Sequence, residues 1–262
     1  MAVGPSDKSG TPLVLLHGFT GAASSWDAVI AALPSDLPAY ALTLPGHAGV
    51  PEPGCADFAA ACHGLAAQVR RLTAEPAHLI GYSLGGRLAL GMAQLTAMPI
   101  ACLSFIGTHT GLADAGERQA RVDADARWQQ VLRTVGIEAF AAAWEQQPIL
   151  AVAPHVPRAR LAQQASVRRR HDAAALAACL EATGLGQMPD FAPGLPTLGV
   201  PSQWLAGNHD EKFLRIAQAA AARAPQAAWH AIAPCGHNPL LEAPHLLAAQ
   251  LVMFHRQAAP AS

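Results

Sequence analysis

The stretch that decides the fold is Gly81-Tyr82-Ser83-Leu84-Gly85, preceded by the apolar run His78–Tyr82 and followed by a helical stretch through about Leu95. A chain that leaves a strand and enters a helix within one residue must reverse sharply. Glycines on both sides remove the side chains that would clash in such a turn. The serine between them takes a strained backbone and presents Oγ beyond the C-terminal edge of the sheet, where open α/β folds keep their ligands. As a bare string, G-x-S-x-G is weak, because Gly and Ser are common. The strand before it and the helix after it make it a strong sign of a nucleophilic serine.

Outward from this turn the same rhythm repeats. Leu13–Leu16 leads into His17-Gly18-Phe19-Thr20-Gly21, then a helix from about Trp26 with Ser25 as its expected N-cap. Ala39–Leu42 runs into Pro45-Gly46-His47; Ile100–Ile106, Gln203–Ala206 and Ala228–Ile232 complete the set of short apolar runs. Strands alternating with helices predict an α/β class fold, a mostly parallel sheet with helices on both faces. Between about residues 110 and 190 the rhythm breaks into helices punctuated by Gly136, Pro148, Pro154, Pro157 and Gly184. The expected organisation is a core of residues 1–109 and 191–262 carrying a helical cap insertion, 110–190.

Composition narrows the function. Of the 262 residues, 52% are hydrophobic and 13% charged, and the formal net charge is −1. A chain of this length buries enough surface for one sizeable core, and the near-zero charge offers no long-range field for nucleic acid or an anionic membrane. The N-terminal MAVGPSDKSGTP has no apolar core of a leader, and no long uncharged apolar run follows. No membrane span is therefore expected. Cys55, Cys62, Cys102, Cys179 and Cys235 are odd in number and widely spaced, with no metal-ligand spacing among them. They read as small buried hydrophobes in a reducing compartment, and no metal site is expected.

A serine nucleophile needs a base and an acid, which in this architecture follow in the order Ser, Asp or Glu, His. Asp210 follows the run Gln203–Ala206, and His237 follows the last strand in Cys235-Gly236-His237-Asn238-Pro239. Both lie just past strand ends, so loops carry them to the edge that holds Ser83. Glu211 rivals Asp210 as the acid, and His209 and His245 rival His237 as the base. An oxyanion hole needs two backbone N–H groups aimed at one point; Leu84 and Phe19 are the expected donors. His47 is read as structural, bonding loop backbone.

These motifs identify the chain as resembling the α/β-hydrolase superfamily from about residue 11 to 255, and within it the SHCHC synthase family, where SHCHC is 2-succinyl-6-hydroxy-2,4-cyclohexadiene-1-carboxylate. The resemblance rests on LHGFTG at 16–21, LPGHAG at 44–49 and GYSLGGRLAL at 81–90. It extends through ERQARVDADARW at 117–128, AFAAAWEQQPILA at 139–151, LAACLEATGLGQMPDF at 176–191, HDEKF at 209–213 and GHNPLLEAP at 236–244. The stretches inside the insertion discriminate most, because relatives differ in their caps. The resemblance implies a cytoplasmic, cofactor-free lyase of menaquinone biosynthesis that eliminates pyruvate from a small-molecule carboxylate. The alternative on the same three residues is a carboxylesterase, thioesterase or carbon–carbon bond hydrolase acting through an acyl-enzyme.

The same resemblance implies that Arg87, Arg121 and Arg168 hold substrate carboxylates, with Tyr82 and Trp144 in the pocket. Arg121 shares a helical stripe with Asp125, Trp128 and Leu132. On a buried stripe it needs an anion, either Asp125 one turn on or a bound carboxylate. Nine arginines against nine acids in 110–190 leave the insertion uncharged overall, so most of those arginines are expected in surface pairs. The chain departs from the family at Arg169-Arg170-His171-Asp172, where Asn-rich residues are usual, and at Asn208-His209 and Gly107-Thr108-His109.

Overall fold

The computed structural model describes residues 10–48 and 55–259. The N-terminal segment 1–9, read above for a leader, and Gly49 of the 44–49 motif lie outside them. Six strands form one parallel sheet: β1 (Leu13–Leu16), β2 (Ala39–Leu42), β3 (Ala77–Tyr82), β4 (Ile100–Ile106), β5 (Ser202–Gly207) and β6 (Ala227–Ile232), in the order β2-β1-β3-β4-β5-β6. All six runs found in the sequence are strands. The near-continuous apolar character of β1, β3 and β5 follows from burial on both faces, every one of their residues being buried, whereas the edge strands β2 and β6 are partly exposed.

The twofold alternation of a strand divides these residues between two cores. Val14, Leu16 and Leu79 face α2 (Phe58–Leu72), α3 (Leu84–Leu95) and α8 (Glu211–Ala221). Leu13, Leu15 and Ile80 face the other side, against α9 (Pro239–Glu242), α10 (Pro244–Ala258) and the turn around Trp26. Strand order reverses direction at β1, so the gap between the ends of β1 and β3 is the crevice where an open parallel sheet collects ligands. Leu16 pairs with Gly81 and Tyr82 with Ile106, which brings the loops after β1, β3 and β4 to one level.

The expected N-cap at Ser25 is not what forms. Residues Ala23–Trp26 make a 3-10 turn ahead of the short α1 (Asp27–Ile30), and Ser25 Oγ accepts the Ala22 N–H at 3.1 Å, inside that turn. The hydroxyl closes the tight turn that the chain needs before α1 can begin, so it is not available to cap α1.

Between β4 and β5 the chain forms α4 (Ala115–Thr134), α5 (Ile137–Trp144), α6 (Arg158–Arg169) and α7 (Ala173–Thr183). Asp114 and Asp172 cap α4 and α7 through N–H groups three residues on, at 2.8 Å each. These helices bury Leu132, Phe140, Leu176 and Ala177 in a separate core, and Phe19 from the loop after β1 packs against it. No helix among the described residues is long and apolar enough to cross a membrane.

Away from the ligand edge, a buried polar chain crosses the sheet. Gln250 donates to Gln203 at 3.0 Å, Gln203 donates to Ser104 at 2.8 Å, and Ser104 meets His78 Nε2 at 2.7 Å. His78 Nδ1 and His255 Nδ1 share a further hydrogen bond at 3.3 Å. With Cys102 these histidines are the one group among the described residues whose ligand atoms approach closely enough to hold an ion. The two nitrogens are committed to each other, and burial pushes the Cys102 thiol up to about 12, so this is a hydrogen-bonded core pair.

Candidate active site

Ser83 stands between β3 and α3 with φ 52° and ψ −108°. That left-handed backbone is unfavourable for any residue with a Cβ. A Cβ at Gly81 would overlap the backbone of Gly85 and Gly86, and one at Gly85 would run into the backbone of Leu16 and His17. The two glycines of the motif are thus dictated by contact. Ser83 N–H donates to Ile106 O at 2.8 Å, pinning the turn to β4. Leu84 opens α3, so its N–H is one of the first-turn donors that no helical carbonyl can satisfy.

Asp210 and His237 come together from separate loops. Asp210 caps α8, Oδ1 accepting the Phe213 N–H at 3.3 Å, while Oδ2 accepts His237 Nδ1–H at 2.6 Å. The bond leaves His237 Nε2 as the free ring nitrogen. The rings of Phe213 and Tyr82 flank the imidazole at 4.6 and 5.5 Å between centroids. Of the alternatives, Glu211, His209 and His245 are exposed, and it is Asp210 that bonds His237. Among the described residues no hydrogen bond joins Ser83 to His237; Ser83, Asp210 and His237 follow the ends of β3, β5 and β6, on the same edge of the sheet.

The loop after β1 is held by three neutral histidines. His17 donates from Nδ1 to Gly18 O at 2.7 Å and accepts the Leu44 N–H on Nε2 at 3.0 Å. His47 accepts the Thr20 N–H on Nε2 at 3.1 Å and donates from Nδ1 to Pro45 O, the structural role expected of it. His171, from the far end of α6, accepts the Ala48 N–H on Nδ1 at 2.8 Å and donates from Nε2 to Thr20 O at 3.0 Å. Burial pulls all three below the usual imidazole range, His17 to about 4; nearby His171 lowers His17 and His47 further, and the cations Arg168 and Arg170 lower His171. Phe19 rides on this scaffold, its ring edge-on to His47 and Trp144.

The three arginines differ in their partners. Arg87 is buried and donates to Thr183 O at 2.7 Å; burial first, then the nearby Arg121, brings it down to about 10. Arg121 donates from Nε to both oxygens of Asp125, at 2.9 and 3.0 Å, so the anion on its stripe is Asp125. Arg168 is buried, donating from Nε to Thr20 Oγ1 at 3.2 Å and from Nη1 to Glu145 Oε1 at 2.9 Å. Arg169 pairs with Glu145 and Glu138, but among the described residues only four of the nine insertion arginines, Arg121, Arg133, Arg168 and Arg169, form ion pairs, fewer than expected. Arg168 also borders two adjoining clefts beneath α6. One reaches Gly18, Phe19, Tyr82 and Asn238; the other reaches Glu145, Leu150 and Leu161. Trp144 lies over Phe140, with centroids 5.3 Å apart.

Sequence reasoning missed Glu145, His171 and Glu242. Glu242 is buried, and its Oε2 accepts the N–H of Gly236, next to His237, and of Ala153, between α5 and α6. Glu145 stands within the family-like 139–151 stretch and Glu242 within 236–244, so their neighbourhood was visible while their roles were not. His171 lies where the chain departs from the family, and that departure was its one signal.

A model of the alpha/beta hydrolase family matches residues 13–250. A protein of Enterobacter sp. (strain 638) named 2-succinyl-6-hydroxy-2,4-cyclohexadiene-1-carboxylate synthase is 36% identical over 250 residues, covering 95% of this chain and 93% of the relative. A protein of the same name from Klebsiella pneumoniae (strain 342) is 37% identical, covering 94% and 95%. Among solved structures, MenH from S. aureus superposes with a TM-score of 0.92 at 27% identity, covering 98% of each chain. With its six-stranded parallel sheet and serine turn, the chain belongs to the alpha/beta hydrolase family.

Proposed function

We propose that the chain is an SHCHC synthase-like lyase acting through Ser83, His237 and Asp210, with residues 110–190 as the cap over its site. The observation that carries this reading is the 2.6 Å bond from His237 Nδ1 to Asp210. It fixes the imidazole tautomer and leaves Nε2 without a proton, available as a base. The relatives that bear the synthase name over nearly the whole chain supply the reaction.

In this mechanism Ser83 and His237 remove a proton α to the succinyl ketone, the proton ending on His237 Nε2. The electron pair moves into the carbonyl, and the enolate oxygen is held by the N–H groups of Phe19 and Leu84. Collapse of the enolate expels the enolpyruvyl oxygen as pyruvate enolate, which takes back a proton. The serine relays a proton and forms no acyl bond. Preorganised backbone donors at the developing oxyanion give the greatest part of the acceleration, about 2.7–4 kcal/mol for a single donor. Arg87 and Arg168 position carboxylates, and Arg121, already paired with Asp125, completes the positive lining. Tyr82 and Trp144 supply apolar walls.

The test is an absorbance assay with the enzymatically generated enolpyruvyl precursor of SHCHC, run beside neutral p-nitrophenyl esters. Formation of SHCHC and pyruvate in equal amounts, with ester turnover far slower, is the expected outcome. Ester turnover rivalling that of the tricarboxylate would assign a hydrolase.

A further inference from the structure

We propose that His171 is a positioning residue for the oxyanion loop, holding from the helical insertion the strained backbone that aims the Phe19 N–H. Among the described residues three non-glycine positions have positive φ: Thr20 at 65°, Ala48 at 48° and Ser83 at 52°. Each is unfavourable for a residue with a Cβ unless its surroundings hold it. Ser83 is held by the elbow itself. The other two are held by one ring, since His171 takes the Ala48 N–H on Nδ1 and gives its Nε2–H to Thr20 O.

Thr20 is the residue after Phe19, and all its polar groups are engaged. Its N–H goes to His47, its carbonyl to His171 and its hydroxyl to Arg168. The His47 bond comes from within the core, whereas the His171 and Arg168 bonds come from the end of α6. The oxyanion donor is thus oriented partly by the insertion, and only when α6 is seated. An imidazole does this work in one protonation state. Nδ1 must be an acceptor and Nε2 a donor, which is the neutral Nε2–H tautomer. The groups around the ring favour that state: Arg168 and Arg170 are the nearby cations, and His47 packs edge-on at 5.2 Å. Asp172 is turned away to cap α7. His171 touches none of the reacting atoms, so its effect passes through Thr20 and Phe19.

The inference rests on the proposed function only in needing Ser83 as the reactive centre. Its test therefore uses a probe besides turnover: phenylboronic acid, which adds to Ser83 Oγ and places a tetrahedral oxygen in the oxyanion hole. Full-length wild type is compared with His171→Ala and His171→Leu, which lack both hydrogen bonds, and with His171→Gln, which offers an acceptor and a donor on a group that does not protonate. Leu retains the packing volume, so a folding failure of the Ala variant does not remove the test.

The expected result is a fall in kcat of about tenfold or more in the Ala and Leu variants, by displacement of one oxyanion donor, with KM within about threefold. Boronate affinity falls in parallel, and His171→Gln recovers most of both. A folded Ala or Leu variant with wild-type kcat and boronate affinity would overturn the proposal, as would a change confined to KM. Should wild type bind boronate but eliminate no pyruvate, the lyase reading fails while the boronate comparison still decides the role of His171.

Discussion

Acid should destabilise this protein well above the pH at which its carboxylates titrate, and His17 shows by how much. The ring is completely buried, donates from Nδ1 to Gly18 O and accepts from Leu44 N–H. Burial lowers its pKa from 6.5 to about 4. In the unfolded chain the same ring protonates as pH falls through 6.5, while in the native state it stays neutral until about 4. The stability it contributes is complete above 6.5, is lost as pH falls from there towards 4, and changes no further below. Between pH 7 and pH 5 the unfolded state gains about 2 kcal/mol from this one residue, and the full shift is worth roughly 3 kcal/mol. His47 and His78, also wholly buried and pulled well down by desolvation, act in the same direction. Against a total stability of about 5–15 kcal/mol this is a large fraction. Glu145, whose pKa is lowered by its hydrogen bonds to Arg169 and Arg168 despite partial desolvation, adds its own loss only below the ordinary carboxylate value of 4.5, outside this window. Urea unfolding followed by circular dichroism at pH 7, 6 and 5 should show the free energy falling by at least about 2 kcal/mol. A free energy that is flat across that range would refute the burial of neutral imidazoles that the oxyanion loop depends on.

Further outcomes follow from the same contacts. Asp210→Asn keeps the cap on α8 but loses the carboxylate that fixes the His237 tautomer, so kcat should drop by about 10³–10⁴-fold with Tm nearly unchanged. Arg168→Lys should lower kcat/KM by roughly tenfold or more. A single ammonium cannot reach Thr20 and Glu145 together and still meet a carboxylate as the guanidinium fork does. Leu176→Ala empties a fully buried site beside Leu132 and Phe140 and should cost about 2–5 kcal/mol, read from urea unfolding at pH 7.

Much of this molecule is legible in its sequence because the signals are local. A central strand buried on both faces writes an unbroken apolar run, the partly exposed edge strands β2 and β6 still write short apolar ones, and the elbow writes its glycines next to its serine, so β1 to β6 and Ser83 can be placed from the sequence alone. The order of Asp210 and His237 along the chain singles them out as candidates, and in the structure the two are hydrogen-bonded while Glu211, His209 and His245 are exposed. Ser25 misleads because a hydroxyl before an apolar stretch caps an α-helix or closes a 3-10 turn equally well, and only the backbone decides. For Arg121 the sequence leaves two anions open, and the structure shows one of them, Asp125, at 2.9 Å. His171 is out of reach for a different reason. Its partners Ala48 and Thr20 lie 123 and 151 positions away, and no local pattern encodes a bond across such a distance. Glu242, whose oxygen joins Gly236 to Ala153, is hidden in the same way.

The proposed chemistry stands on Ser83 acting as the proton relay of an elimination. The most direct measurement is the rate of pyruvate release from the enolpyruvyl precursor by wild type and by Ser83→Ala, with correct folding of the variant checked by its unfolding curve. Wild type should release pyruvate and SHCHC in equal amounts, and Ser83→Ala should lose at least about 10³-fold in kcat. Elimination by Ser83→Ala at a near-wild-type rate would contradict the mechanism.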